Sequence, residues 1–199
     1  MLDEPFRRWL TRTASAPAHW MHRRGISPNT VTISATLLGL SAAAFVARGE
    51  FVVGLSLWLA GRLLDGYDGL LARLSGQDTL FGGFLDISLD MLAYSAMAVG
   101  FAIAMPADVT LWLLVLVGYV MAITTTLALS SLLERADRQL GGDRSLQFTP
   151  ALAEGGETTI TYALLAVFPS WSSALLMVWI AVLAMTMISR FVLAARLLR

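Results

Sequence analysis

The chain has 199 residues, 57% hydrophobic and 14% charged, against roughly 45–50% and about 25% in a soluble domain. With a mean hydropathy of +0.70, this composition excludes an ordinary water-soluble globule and specifies an integral membrane protein. A formal net charge of zero excludes the broad basic field of a nucleic-acid binder, and the absence of Cys and Lys excludes thiolate metal sites, disulfides and Schiff-base lysines.

Residues 1–25 lack the continuous apolar core of a signal peptide. Phe6, Trp9 and Leu10 share one helical face, with Arg7, Arg8 and Arg12 elsewhere around it. That pattern predicts an amphipathic helix lying at the membrane interface; a basic tail is the plainer alternative. Six apolar stretches follow, each near the roughly 20 residues a bilayer core requires. They are Asn29–Ala47, Phe51–Leu71, Leu80–Ala104, Val109–Leu132, Ala151–Phe168 and Trp171–Leu198. The expected fold is therefore all-α: an interfacial helix in 1–25 and a six-helix transmembrane bundle in 26–199, forming one domain. Pro28 suits the first turn of its helix. Trp112 and Trp171 are expected as anchors at the outer interface.

Arginine placement sets the orientation. With the N-terminus in the cytoplasm, that side receives Arg7, Arg8, Arg12, Arg23, Arg24, Arg73, Arg135, Arg138, Arg144, Arg196 and Arg199, and the other side only Arg48. Both termini are expected on the cytoplasmic face.

Asp65, Asp68, Asp86 and Asp90 sit in or beside apolar helices, where charge is costly and marks function. Their spacings of three and four put each pair on one helical face. The second helix ends and the third begins on the cytoplasmic side, so the pairs can meet across a short turn. Two carboxylates about 4 Å apart repel by roughly 4 kcal/mol at an effective dielectric near 20, so the cluster calls for a cation. Four oxygen donors and no thiolate favour Mg²⁺ or Mn²⁺. Gly66, Gly69, Gly82 and Gly83 interleave with the aspartates and permit close approach of a substrate or helix. The bland reading is four acids capping helix ends in the headgroup zone.

The segment DGYDGLLAR (65–73), then eight residues, then GGFLDISLD (82–90), resembles the signature of the CDP-alcohol phosphotransferase family, D-x-x-D-G-x-x-A-R followed by G-x-x-x-D-x-x-x-D. Every fixed position is matched. Ser27-Pro28-Asn29-Thr30-Val31-Thr32 is similar to the opening of the family's first helix. Further resemblance, through the residues around Asp86 and through Glu154-Gly-Gly-Glu157-Thr, is to a poorly characterised bacterial branch.

The resemblance implies transfer of a substituted phosphate from a CDP-linked donor, usually CDP-diacylglycerol, to a polar alcohol, with release of CMP. It implies that Asp65, Asp68 and Asp86 hold the metal, as two ions of Mg²⁺ or Mn²⁺. Asp90 is implied as the base for the acceptor hydroxyl, and as a further metal contact. Asn29, Thr32, Asp65, Asp68, Gly69, Ala72, Arg73 and Gly82 are implied as the nucleotide pocket. A homodimer in the bacterial inner membrane, with its active site facing the cytoplasm, is implied as well.

The acceptor is less defined. Ile87-Ser88-Leu89 and Met91 replace the Pro and Lys common in phosphatidylglycerophosphate synthases, which counts against glycerol 3-phosphate. Glu154, Glu157, Arg144 and Arg190 are the acceptor-side candidates. The plainer readings are positive-inside loop charge for Arg144, favourable acids at a helix N-terminus for the glutamates, and a buried Glu–Arg pair. Arg62 lies one turn before Asp65 and is placed to pair with it. A membrane cation transporter using the same carboxylates is the alternative function. It calls for acids distributed along a transmembrane path, whereas these cluster at one end. An inactive scaffold is a third reading, opposed by the intact aspartates and Arg73.

Overall fold

A computed structural model of the chain describes residues 15–135 and 155–198. The described residues form helices and no strand: α1 (Ser15–Arg23), α2 (Pro28–Ala47), α3 (Phe51–Ser75), α4 (Leu80–Ala104), α5 (Val109–Arg135), α6 (Gly155–Val167) and α7 (Ser172–Leu197), with 3₁₀ turns at Pro106–Asp108 and Pro169–Trp171. Phe6, Trp9 and Leu10, on which the interfacial face was argued, lie outside the described residues. Within α1, Trp20 is exposed and the Arg24 guanidinium lies 5.4 Å from its ring.

Among the described residues, four helical segments are long and apolar enough to cross a membrane: Pro28–Ala47, Leu80–Ala104, Pro106–Arg135 and Pro169–Leu197. The other two expected spans differ for distinct reasons. Helix α3 has 25 residues, about 37 Å at 1.5 Å per residue, so it is long enough. Its C-terminal half, however, carries Arg62, Asp65, Asp68 and Arg73. Helix α6 has 13 described residues, about 20 Å.

The N-termini of α2 and α4 are set by side-chain caps. Ser27 accepts from the Thr30 amide at 3.2 Å, with Pro28 at the first helical position, and Thr79 accepts from the Gly82 amide at 3.0 Å. Helix α3 stops at Gly76, whose φ of 65° is one that glycine adopts without steric cost. These three ends lie together and frame the aspartates.

Helix α2 packs against both α3 and α4, and α5 packs against α7; α4–α5 and α3–α6 contacts join the two groups. Small residues permit the close crossings. A Cβ built on Gly100 of α4 would stand 2.5 Å from the Ala43 carbonyl oxygen of α2, and one on Gly61 would stand 3.0 Å from that of Ala35.

The core is aromatic. Trp58, Phe101, Trp112 and Tyr162 are fully buried. Trp112 therefore does not stand at the outer interface as expected: it stacks on Phe101 at 5.4 Å between centroids, because the 3₁₀ turn at Pro106–Asp108 directs α5 back onto α4. Trp171 is exposed. The polar ends of buried aromatics are tied across helices. Trp179 donates to the Tyr119 hydroxyl at 3.3 Å, the Tyr119 and Tyr162 hydroxyls are 2.9 Å apart, and Tyr162 donates to the Tyr94 carbonyl at 2.8 Å. At the far end of the bundle, Asp108 accepts from Ser172 at 2.5 Å and Ser173 at 2.6 Å, fixing the start of α7.

Candidate active site

Asp65 and Asp68 project from α3, and Asp86 and Asp90 from α4, as the three- and four-residue spacings require. One carboxylate oxygen from each of Asp65, Asp68 and Asp86 lies within 4.8 Å of the others. That grouping fits a hard divalent cation: three hard oxygen donors, one buried and two partly buried, close enough to be shared by one ion or two.

Asp68 is held from α2. Thr32 Oγ1 donates to Asp68 Oδ2 at 2.7 Å while also reaching the Pro28 carbonyl at 3.2 Å. Asn29, one turn earlier on α2, faces the start of α4: a Cβ on Gly82 would lie 3.4 Å from Asn29 Oδ1. Gly82 thus keeps open the space between Asn29 and the cap residue Thr79. Asn29, Thr32, Asp68 and Gly82, expected together in one pocket, are brought together by α2, α3 and α4. Gly69, Ala72 and Arg73 continue along α3, with Arg73 exposed near its end.

Asp90 lies one turn deeper than Asp86. Its Oδ1 accepts from Arg62 Nη1 at 2.6 Å, and the same nitrogen reaches Asp65 Oδ2 at 3.4 Å and the Tyr94 hydroxyl at 3.2 Å. Arg62 does pair with Asp65 as its spacing suggests, but its shorter bond is to Asp90, across to the neighbouring helix. Tyr94 had no expected role. The signal was available: Asp86, Asp90 and Tyr94 recur every four residues, so the tyrosine continues the acidic face.

Arg190 is buried, and its guanidinium donates to the Ala122 carbonyl of α5. Glu157 is in the first turn of α6. Glu154 and Arg144 lie outside the described residues.

A cluster of oxygen donors near the ends of α2, α3 and α4, with Gly82 beside it, suits a hard cation and the phosphate oxygens such a cation would bind. Comparison with known proteins agrees. Residues 25–197 match the family model described as CDP-alcohol phosphatidyltransferase. The chain is 34% identical over 175 residues to an inner membrane protein of Escherichia coli, covering 85% of this chain and 84% of that one. In fold it is similar to the phosphatidylinositol phosphate synthase of Mycobacterium tuberculosis solved with CDP-DAG bound. That likeness has a TM-score of 0.70 at 22% identity and covers 92% of this chain and 94% of that chain. The same synthase in complex with manganese and citrate gives a TM-score of 0.66 at 22% identity, covering 90% of this chain and 87% of that chain. The family match spans the whole bundle and includes the four aspartates, so this chain belongs to the CDP-alcohol phosphatidyltransferase family.

Proposed function

We propose that the protein is a phospholipid-synthesising transferase that moves a phosphatidyl group from CDP-diacylglycerol to a polar alcohol and releases CMP. The observation that carries this reading is the convergence of Asp65, Asp68 and Asp86 within 4.8 Å, beside Asn29 and Gly82. Two Mg²⁺ or Mn²⁺ ions held by these carboxylates would supply positive charge to the donor's pyrophosphate oxygens and to the phosphate that leaves with CMP.

The remaining chemistry falls to the chain's own groups. Thr32 fixes the orientation of Asp68. Arg73, exposed at the end of α3, supplies a charge-assisted hydrogen bond to a phosphate oxygen. Asn29, Gly69, Ala72 and Gly82 shape the nucleotide pocket. Asp90 accepts the proton of the acceptor hydroxyl. The hydroxyl oxygen forms a bond to the diacylglycerol-bearing phosphorus, and the bond from that phosphorus to the CMP oxygen breaks. Asp90 lies deeper than Asp86, so the acceptor approaches from the bundle side; Arg190, Glu157, Glu154 and Arg144 are the residues proposed to bind it. Positive charge there suits a phosphorylated alcohol.

In this reading α2–α7 cross the bacterial inner membrane six times. Both termini and the site face the cytoplasm, the donor's acyl chains remain in the bilayer, and two copies form a homodimer. The arginine distribution supports the orientation. The test is incubation of purified protein with Mg²⁺, CDP-diacylglycerol and a panel of alcohols, phosphorylated and not, while CMP is measured. Acceptor-dependent CMP release is expected. Ion flux across proteoliposomes without nucleotide consumption would favour a transporter instead.

A further inference from the structure

Arg62 occupies an unusual position for a membrane-depth cation. Its guanidinium carbon lies 4.9 Å from the Trp58 ring centroid and 5.1 Å from that of Tyr94. Both rings are buried, and Trp58 meets Tyr94 edge-on at 5.4 Å. The side chain therefore rests in the corner that these two touching rings form, against aromatic surfaces that attract a cation. From that corner Nη1 is delivered to Asp90 Oδ1 at 2.6 Å. Asp90 has no other hydrogen-bond partner among the described residues, so its second oxygen is left for a substrate.

The support beneath this corner is continuous. The Tyr94 hydroxyl accepts from Arg62, the Tyr94 carbonyl accepts from Tyr162, and Tyr162 meets Tyr119, which accepts from Trp179. Residues on α5, α6 and α7 thus hold the helix face that presents Asp90. The carboxylates that group together, Asp65, Asp68 and Asp86, do not include the one Arg62 binds most closely.

We propose that Arg62 is a positioning residue for Asp90: seated against Trp58 and Tyr94, it fixes one carboxylate oxygen so that the other meets the acceptor hydroxyl. This rests on the reading of Asp90 as the base that takes the acceptor's proton. A rigid base accelerates the transfer through geometry, and a misplacement of about 1 Å can cost roughly 100-fold in rate.

The test is a set of variants assayed by CMP release, with Mn²⁺ binding followed by electron paramagnetic resonance. Arg62→Met is expected to lower kcat about 100-fold, with the donor KM changed less than about twofold and Mn²⁺ binding retained. Arg62→Lys, which keeps a cation, is expected to recover part of the loss. Because Arg62 acts through Asp90, adding Arg62→Met to Asp90→Asn should lower the residual rate little further, whereas independent effects multiply. Wild-type kcat in Arg62→Met, multiplication of the two effects, or loss of rate in step with loss of Mn²⁺ would overturn the proposal. Should Arg62→Met fail to fold, Tyr94→Phe serves, since it keeps the ring and removes only the hydroxyl that accepts from Arg62. A kcat several-fold lower at unchanged donor KM is expected there, and wild-type kcat would overturn the proposal. Wild-type turnover in Asp90→Asn would instead defeat the reading of Asp90 as base. An inactive Asp90→Asn beside a fully active Arg62→Met defeats the positioning role alone.

Discussion

Thr32 Oγ1 donates to Asp68 Oδ2 at 2.7 Å across the α2–α3 interface, so a metal-ligand candidate on one helix takes its orientation from a hydroxyl on another. Thr32 was expected in the nucleotide pocket; the bond gives it a second task beside the carboxylate cluster. Partners of this kind typically change metal affinity by about 10–100-fold when removed. Thr32→Val keeps the shape and removes the hydroxyl. It is expected to weaken Mn²⁺ binding at least about 10-fold, measured by titration of the metal-stripped protein.

Asp68→Asn removes the charge and keeps the volume. An amide cannot replace a carboxylate ligand to a hard cation, so the variant is expected to lose both Mn²⁺ binding and CMP release. Turnover at the wild-type rate would remove Asp68 from the site.

Arg190 is tied to the Ala122 carbonyl, joining α7 to α5. An acceptor role and a structural role give different results in one variant. Arg190→Ala is expected to raise the acceptor KM about 10-fold or more, equivalent to roughly 1.4 kcal/mol, with the donor KM nearly unchanged. A large fall in melting temperature with an unchanged acceptor KM would assign Arg190 to the helix contact alone.

Gly100 tests the packing without touching the chemistry. A methyl group there would stand 2.5 Å from the Ala43 carbonyl oxygen, and overpacking of this kind costs typically about 1–3 kcal/mol. Gly100→Ala is expected to lower the melting temperature while the folded fraction keeps its donor KM.

The four aspartates were legible because two periodicities coincide: charges that a bilayer disfavours recur at spacings that put them on one face of each helix. The helices were legible as apolar runs, and their caps Ser27 and Thr79 follow ordinary preferences. Among the described residues, length and apolarity support four of the six expected spans: the charges of α3 dilute its hydropathy, and α6 has 13 described residues. The pairing of Arg62 with Asp90 was not legible. Local spacing couples Arg62 to Asp65 three residues on, whereas Asp90 reaches it through the packing of α3 and α4 on α2. Trp112 shows the same limit: a tryptophan near a helix end suits an interface anchor, and the 3₁₀ turn that folds it into the core depends on how α5 docks on α4. Thr32 likewise gives no sequence signal of its bond to Asp68, which lies 36 residues away.

The most direct measurement joins metal occupancy to turnover. Protein stripped with EDTA is titrated with Mn²⁺ in the presence of CDP-diacylglycerol and an active acceptor, and bound Mn²⁺ and released CMP are recorded together for the wild type and for Asp90→Asn. CMP release is expected to rise with occupancy in the wild type, while Asp90→Asn binds Mn²⁺ and releases almost no CMP. Full turnover by the wild type in excess EDTA would contradict the carboxylate-held metal as the centre of the reaction.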